Sequence, residues 1–258
     1  MNGRRKFLGL SLITFLSACA VSGLESKNSS SVNLMVSAAS SLQDVITDLG
    51  NLYRQQMPHV QLTYNFGSSG SLRRQIEQGA PVDVYISAAE QHMDSLEQEN
   101  LLLDNTRRNL LQNELVLITA QNNTKVAKFS QLPSNAVNKI AIGDPDSVPA
   151  GKYAKEVLDS LQLSQSLAAK FVYAKDVRQV LAYVETGNVE AGLVYRTDAQ
   201  ISKQVRILAT APANSHAPII YPVAIVRHSK QTANAQDFIQ FLMSNDAQKI
   251  FANYGFVH

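Results

Sequence analysis

Hydrophobic positions along the chain follow two alternating patterns, short apolar runs and stretches with a helical repeat. Residues 33–37 are typical of a buried strand, and the residues after them carry an apolar side chain about every 3.6 positions. These helical positions are Leu42, Val45, Ile46, Leu49, Leu52 and Tyr53. Residues 60–66 and 82–87 are further predicted strands, each followed by a helical pattern. A βαβαβα run of this kind is typical of a doubly wound parallel sheet.

A second set of strands follows a change in this pattern. Residues 113–119 form a strongly apolar strand with no helical repeat after it, which predicts a crossing into a second domain. Residues 221–226 predict a strand that returns to the first domain. The strands expected between the crossings lie at 139–142, 170–174, 190–195 and 205–208, and helices are expected to begin at Pro149 and Asp176.

This organisation predicts an α/β protein with two lobes and two crossing strands as a hinge. Lobe 1 would comprise residues 33–112 and 217–258, and lobe 2 residues 113–216. Each lobe would be a doubly wound sheet. Ligands of such sheets lie at the carboxyl ends of the strands, so the turns that follow the strands are the candidate site.

Similar short sequences recur at the turns from strand to helix. Ser40 and Ser41 stand where the N-cap of the first helix is expected, with Asp44 as a capping-box partner. Small hydroxyl residues return at 66–72 (FGSSGSL), and varied forms lie at 143–151 and 174–177. A helix start offers unpaired N–H groups and a partial positive charge, which favour an anion. Each serine could also serve only as a cap, but four such turns predict a small oxyanion receptor.

The charge of the chain gives no support for nucleic-acid binding. The formal net charge is +2, but Arg4, Arg5 and Lys6 lie in the first 18 residues, which contain no acid. Without that segment 20 basic and 21 acidic residues remain, a net charge of −1. Nucleic-acid binding usually needs a basic face. An anion would therefore be held by local dipoles rather than by bulk charge.

The N-terminus has the features of an export signal. Three basic residues precede an apolar run at 7–16 that is too short to span a bilayer, so residues 1–18 are predicted to be a signal peptide. The arginine pair also resembles a twin-arginine signal. The sequence LSAC at 16–19 resembles a bacterial lipobox, which predicts lipidation of Cys19, although a cleaved signal with an incidental cysteine is the alternative. Cys19 is the only cysteine, which excludes an internal disulfide, and residues 19–32 have the composition of a flexible tether.

An ordered set of short motifs resembles the molybdate-binding proteins of ABC import systems. The motifs are ASSL at 39–42, SSGSL at 68–72, QI at 75–76, GAP at 79–81, ISA at 86–88, GDP at 143–145, VPAGKYA at 148–154, DVR at 176–178, VY at 194–195, YPVA at 221–224 and YGF at 254–256. Each motif is weak evidence by itself, but together the motifs occur in the family's order across residues 33–257. The lipobox departs from the simple signal of soluble members, and this bears on anchoring rather than on the site.

The resemblance implies a type II periplasmic-binding-protein fold that holds molybdate or tungstate between its lobes. Ser41 and Ser69 would donate from side-chain hydroxyl and backbone N–H, Ala150 and Val177 from backbone N–H, and Tyr195 from its phenol. The oxyanion is then a transported ligand, with no cofactor and no direct metal-cation ligand. The implied partner is the membrane permease of an ABC importer. A periplasmic monomer, attached to the membrane only through Cys19, is expected.

Two rival functions stay open at this point. The first is a receptor for sulfate or phosphate, and the carboxylates near the motifs could accept the proton of hydrogen phosphate. These are Asp144, Asp146, Asp176 and Asp198. The second is an exported hydrolase, but the five histidines show no triad or metal-ligand spacing and no G-x-S-x-G motif occurs. We therefore expect a binding protein rather than an enzyme.

Overall fold

The structure is a computed structural model that describes residues 31–257. The predicted signal peptide, Cys19 and all but the last two residues of the predicted tether lie outside the described residues. Within the described range, no helix combines the length and the apolar character needed to cross a membrane.

Two five-stranded mixed sheets form the framework of residues 31–257. The strands of the first sheet are β1 Val32–Ala39, β2 Val60–Gly67, β3 Val84–Ile86, β4 Arg108–Asn113 and β10 Ile219–Ile225, in the spatial order β2-β1-β3-β10-β4. Those of the second sheet are β5 Leu115–Ala120, β6 Ile140–Gly143, β7 Phe171–Ala174, β8 Ala191–Tyr195 and β9 Val205–Thr210, in the order β7-β6-β8-β5-β9.

The two sheets share one pairing scheme. In the first, β1 pairs in parallel with β2 and β3, and β10 runs antiparallel between β3 and β4. In the second, β6 pairs in parallel with β7 and β8, and β5 runs antiparallel between β8 and β9. The carboxyl ends of the parallel strands, where ligands of such sheets bind, therefore lie at one edge of each sheet.

Helices connect the strands and cover the sheets. Their bounds are α1 Gln43–Gln56, α2 Ser69–Glu77, α3 Glu90–Gln98, α4 Pro149–Ser160, α5 Ser164–Leu167, α6 Val177–Glu185, α7 Arg196–Gln200, α8 Thr232–Leu242 and α9 Asn245–Asn253, with 3-10 turns at Ser40–Leu42, Phe129–Gln131 and Ala168–Lys170. The predicted start of α4 at Pro149 is confirmed, and α6 begins at Val177, one residue after the predicted Asp176, which is its N-cap.

Strand β3 shows that helices pack on both faces of the first sheet. Tyr85 belongs to a buried cluster with Leu72 of α2 and Met93 of α3. Its neighbours Val84 and Ile86 belong instead to the larger core that includes α1. Since successive side chains of a strand point to opposite faces, the first sheet is doubly wound. The α/β class and the two-sheet arrangement predicted from the sequence are thus confirmed.

Two chain segments connect the sheets. Only Glu114 separates β4 from β5, and residues 211–218 join β9 to β10. The strand predicted at 113–119 is present as β5, and the chain crosses between the sheets at its start, but the preceding strand β4 was missed. The residues of β4 alternate between exposed and buried only in part, which conceals the strand in the sequence. The lobe boundaries at 112/113 and 216/217 stay a prediction.

The predicted capping role of Ser40 and Ser41 is wrong. Both serines lie in the 3-10 turn before α1, and the N-cap of α1 is Leu42, which makes no side-chain cap hydrogen bond. Asp44 contacts Arg178 of α6 instead of closing a capping box. The tertiary contacts of these polar side chains thus override the local capping preference.

Candidate anion-binding site

The five site residues predicted from the resemblance meet at one cavity. Ser41 and Ser69 follow the carboxyl ends of β1 and β2, while Ala150, Val177 and Tyr195 lie at or after the ends of β6, β7 and β8. The full lining is Ala39, Ser40, Ser41, Gly67, Ser68, Ser69, Ala88, Val148, Pro149, Ala150, Val177 and Tyr195. The cavity thus takes its walls from both sheets. The roles of these residues as ligands stay a prediction.

The cavity is small. Its enclosed space is about 10 Å³, and a site needs about 10–15 Å³ to hold one water molecule. The walls of the cavity therefore lie close together in this structure, and any ligand larger than a water molecule needs them to move apart.

Ser69 is held firmly at the first turn of α2. Its Oγ accepts a hydrogen bond from the N–H of Ala88 at 2.9 Å, and its carbonyl oxygen accepts one from Tyr85 Oη at 2.7 Å. The helix is capped not by Ser69 but by Ser68, whose Oγ accepts from the N–H of Ser71 at 3.3 Å. The side chain of Ser69 is completely buried. Its Oγ therefore already acts as an acceptor, and its own proton is free to be donated to a ligand.

Ser41 is buried in the 3-10 turn that follows β1. Its Oγ lies 3.0 Å from Tyr221 Oη, a residue of β10 that is also buried. Tyr221 was absent from the predicted site because it is 180 positions away in the sequence. The Tyr-Pro pair that contains it was noticed only as part of a motif. The structure thus shows that Tyr221 is a hydrogen-bond partner of Ser41, one of the predicted ligands.

Ala150 and Val177 offer backbone N–H groups at two helix starts. Ala150 is the second residue of α4, and Val177 is the first residue of α6, with Asp176 as its N-cap. The first N–H groups of a helix have no intrahelical acceptor, and the helix dipole makes this end attractive to anions. Both residues are buried at the cavity wall.

Glycine at 151 allows the first turn of α4 to pack against β6. A Cβ atom built at Gly151 would lie 2.0 Å from the carbonyl oxygen of Gly143. No side chain fits at that separation, so the close approach of helix and strand depends on glycine. This approach sets the position of the Ala150 N–H group at the cavity.

Tyr195 supplies a hydroxyl group that lacks a partner. The residue is 1% exposed, and its Oη makes no hydrogen bond to any described residue. A buried polar group without a partner costs about 1–3 kcal/mol. Burial also raises the pKa of Tyr195 well above its usual value, so the phenol stays protonated as a donor. A ligand that accepts this proton would remove the cost.

The charged side chains nearest the cavity are one arginine and two aspartates, which pair with it. Arg178, next to Val177, lies between Asp198 and Asp44, with N···O distances of 2.7 and 2.6 Å. Burial raises the pKa of Asp198 to about 6, although the Arg178 guanidinium opposes this shift. No charged side chain of the described chain lines the cavity itself. The groups there that can attract an anion are the N–H groups of helix starts and the hydroxyls.

The carboxylates that could have accepted a ligand proton are engaged elsewhere. Asp144 accepts from Ser147 Oγ at 2.9 Å, Asp176 caps α6, and Asp198 pairs with Arg178. Together with Asp146 they lie outside the cavity lining. In residues 31–257 the wall is thus made of donors and apolar groups, with no carboxylate acceptor.

A larger cavity of about 480 Å³ lies beside β6 and β7. Its lining combines Asp144, Asp146, Lys155 and Tyr173, so charges of both signs face it. None of the five predicted site residues borders it. The small cavity, where the helix starts of both sheets converge, is the better candidate for an anion site despite its size.

Side chains that could bind a metal cation do not cluster in the described chain, where no group of three His, Cys, Asp or Glu residues has suitable geometry. Two α/β sheets linked by two crossings, with a donor-lined cavity between their strand ends, define a solute-binding protein. Residues 34–257 match the family model of the bacterial extracellular solute-binding proteins, and the chain belongs to that family.

Two relatives and one solved structure are similar to most of this chain. YvgL of Bacillus subtilis, named as a candidate ABC transporter substrate-binding lipoprotein, is 42% identical over 96% of this chain and 95% of its own length. The molybdate-binding protein ModA of Haemophilus influenzae is 37% identical over 93% of this chain and 95% of its own. The solved structure of the periplasmic molybdate-binding protein of Azotobacter vinelandii has a TM-score of 0.80 at 27% identity, covering 87% of this chain and 99% of that one. These matches confirm the two-lobed binding-protein fold.

Proposed function

We propose that this protein is an extracytoplasmic receptor for molybdate and tungstate that delivers the oxyanion to an ABC transporter. The observation that carries the proposal is a cavity whose polar side chains are all hydroxyls, with two helix starts in its wall, no carboxylate in its lining, and the buried, unpartnered hydroxyl of Tyr195. The similarity to ModA proteins over nearly the whole chain supports the same ligand. The permease of the importer would be the partner in the membrane.

A tetrahedral dianion matches this cavity chemically. Its oxygens only accept hydrogen bonds, and the cavity offers hydroxyl and N–H donors from both sheets. Hydrogen bonds to a charged acceptor are about twice as strong as those between neutral groups. A neighbouring Arg or Lys would add attraction but would also need desolvation. We infer that Ser41, Ser69, Ala150, Val177 and Tyr195 hold the anion without a counter-charge.

Sulfate and phosphate are the rivals within the same class. Hydrogen phosphate needs an acceptor for its proton, and the cavity lining contains no carboxylate. Sulfate carries no proton but is smaller, so it cannot reach all donors at once. Molybdate and tungstate have nearly the same size and charge, and the site should bind both.

Calorimetric titration with molybdate, tungstate, sulfate and phosphate tests the proposal. We expect one-to-one binding of the first two and at least about hundredfold weaker binding of the others, a difference of about 2.7 kcal/mol. The loss of one or two charge-assisted hydrogen bonds is enough for this difference. Equal affinity for sulfate would exclude a receptor selective for molybdate.

An exported hydrolase is the rival from another class. A serine nucleophile needs a general base within hydrogen-bond reach. Ser41 Oγ contacts Tyr221 Oη instead, and Ser69 Oγ accepts from the Ala88 N–H. Neither contact can remove a proton from serine. We therefore favour a non-enzymatic receptor, in keeping with the solute-binding family.

The proposed receptor is a monomer with two lobes. Lobe 1 comprises residues 33–112 and 217–258, and lobe 2 comprises residues 113–216. The proposal also includes attachment to the membrane through Cys19. The LSAC sequence at 16–19 and the lipoprotein name of YvgL support the anchor. Cys19→Ser should release the protein from membranes or block its processing. Unchanged fractionation and an unchanged mass of the mature N-terminus would show that Cys19 carries no lipid.

A further inference from the structure

A chain of hydrogen bonds connects Ser41 to Asn113, the last residue of β4. Asn113 Oδ1 accepts from the N–H of Glu114 at 2.9 Å. Because a backbone N–H group can only donate, this contact fixes which end of the amide is oxygen. The nitrogen Nδ2 then faces Thr197 Oγ1 at 2.9 Å and Tyr221 Oη at 3.3 Å.

The orientation of Asn113 decides the direction of the next hydrogen bond. The amide nitrogen donates to Tyr221 Oη, so the phenol oxygen already acts as an acceptor. Its own proton then needs an acceptor, and Ser41 Oγ lies 3.0 Å away. Tyr221 is fully buried, and burial raises the pKa of its hydroxyl, so this proton is retained. The arrangement that gives this buried proton a partner has Ser41 Oγ as the acceptor.

We propose that Tyr221, oriented by Asn113, is a positioning residue that keeps Ser41 as a hydrogen-bond donor to the bound oxyanion. With its oxygen occupied by the Tyr221 proton, Ser41 has its own proton free for the cavity. The inference rests on the proposed function, because it assigns a role in binding the same anion. Tyr221 itself is not part of the cavity lining.

The hydroxyls of Ser69 and Tyr195 can also donate to a ligand, but for different reasons. Ser69 Oγ accepts from the backbone N–H of Ala88, and Tyr195 Oη has no protein partner. All three hydroxyl protons thus lack an acceptor within the described protein. For Ser41 the free proton depends on another side chain, that of Tyr221. A substitution of Tyr221 can therefore remove it.

A double-mutant cycle tests the role of Tyr221. The dissociation constant for molybdate is measured by calorimetry for the parent protein, Tyr221→Phe, Ser41→Ala and the double variant. We expect Tyr221→Phe to weaken binding about three- to tenfold when Ser41 is present, because the serine hydroxyl loses its fixed orientation. In the Ser41→Ala background the same change should weaken binding less than about twofold.

Two controls separate positioning from general damage. Tyr53→Phe removes another buried tyrosine hydroxyl. The ring of Tyr53 packs against Phe238 and Phe241 away from the cavity, so this change should leave affinity unchanged. Thermal unfolding without ligand shows whether each variant is folded. Equal losses from Tyr221→Phe in both backgrounds, or no loss in the parent, would refute the positioning role alone. Absence of molybdate binding by the parent would refute the proposed function and this inference with it.

Discussion

The unpartnered hydroxyl of Tyr195 is the residue whose environment is best explained by a ligand. An evolved core rarely retains a buried hydroxyl without a hydrogen bond, and such a group needs a specific reason. Here the hydroxyl lies in the wall of the cavity where two helix starts and two serines converge. A bound oxyanion would accept its proton and so satisfy the group.

Tyr195→Phe should therefore separate stability from binding. We expect molybdate to bind roughly fivefold to a hundredfold more weakly, a loss of roughly 1–3 kcal/mol, because one hydrogen bond to a charged group disappears. Without ligand the variant should unfold at the same temperature as the parent or higher, since a buried unsatisfied group is removed. Calorimetry and thermal unfolding measure the two effects. A lower unfolding temperature with unchanged affinity would show that the hydroxyl is structural.

His92 gives a pH-dependent contribution to stability. It is 6% exposed, and burial, followed by the charges of Arg73, Lys152 and Arg74, lowers its pKa from 6.5 to about 4. The unfolded chain therefore binds a proton near pH 6.5, while the folded protein binds it only near pH 4. The contribution is complete above pH 6.5 and is lost as the pH falls towards 4.

His92→Gln should reduce the pH dependence of unfolding between pH 4 and 6.5. The parent should lose roughly 2–3 kcal/mol more stability across this window than the variant, about 1.4 kcal/mol for each unit of pKa difference. Urea denaturation at several pH values measures this difference. The exposed His228→Gln serves as the control and should follow the parent. Parallel curves for the parent and His92→Gln would show that His92 does not titrate in this way.

At the level of elements, the first turn of α2 meets the loop before α4. The N–H of Gly70 donates to the carbonyl oxygen of Ser147 at 3.0 Å, which joins a helix of the first sheet to a loop of the second. A Cβ atom at position 70 would lie 2.6 Å from that oxygen. Glycine is therefore required for this contact beside the cavity, although the helix itself would tolerate alanine.

Gly70→Ala should weaken molybdate binding without harming the unliganded fold. Overpacking costs about 1–3 kcal/mol, which corresponds to roughly fivefold to more than a hundredfold in affinity. The unfolding temperature without ligand should stay the same or rise, because alanine favours the helix. Gly151→Ala is the contrasting variant, since its Cβ would clash with Gly143 within the second sheet and should lower that temperature. Parent-like affinity of Gly70→Ala would show that the contact is not needed for binding.

For the whole molecule, the elements of the two sheets meet around the site through the Tyr195–Tyr221 ring contact, the Asn113–Thr197 hydrogen bond and several further polar contacts. Besides the Gly70–Ser147 bond, Arg178 pairs with Asp44 of α1, and Lys152 of α4 contacts Gln91 of α3. The Asp44 side chain is 44% exposed, and ion pairs of this kind contribute only about 0–1 kcal/mol. Such contacts alone hold the proposed lobes together weakly, so a ligand that bonds to both should decide their separation.

Small-angle scattering with and without molybdate tests this clamp. We expect a smaller radius of gyration in the liganded protein, because Ser41 and Ser69 would bind the anion from one side and Ala150, Val177 and Tyr195 from the other. Tyr195→Phe and Ser41→Ala should each need more ligand to reach the compact form. A radius of gyration that does not change at saturating molybdate would argue against closure of two lobes.

The sequence by itself determined the features that depend on short stretches of chain. Pro149 and Asp176 mark helix starts because the fixed φ of proline and the side-chain acceptor of aspartate act on the adjacent turn. The apolar runs likewise placed most of the strands, and the order of the turns pointed to the cavity residues. These signals are local, so they are legible without knowledge of the packing.

Only the tertiary structure decided which side chains meet across the chain. Asp44 was predicted to cap α1, but it pairs with Arg178 on a helix of the other sheet. The orientation of Ser41 depends on Tyr221, and the orientation of Tyr221 depends on Asn113 at a strand end that the pattern did not reveal. Contacts at such separations are set by sheet register and by the close approach of the two sheets. Neither leaves a periodic pattern in the sequence, because each depends on elements far apart along the chain.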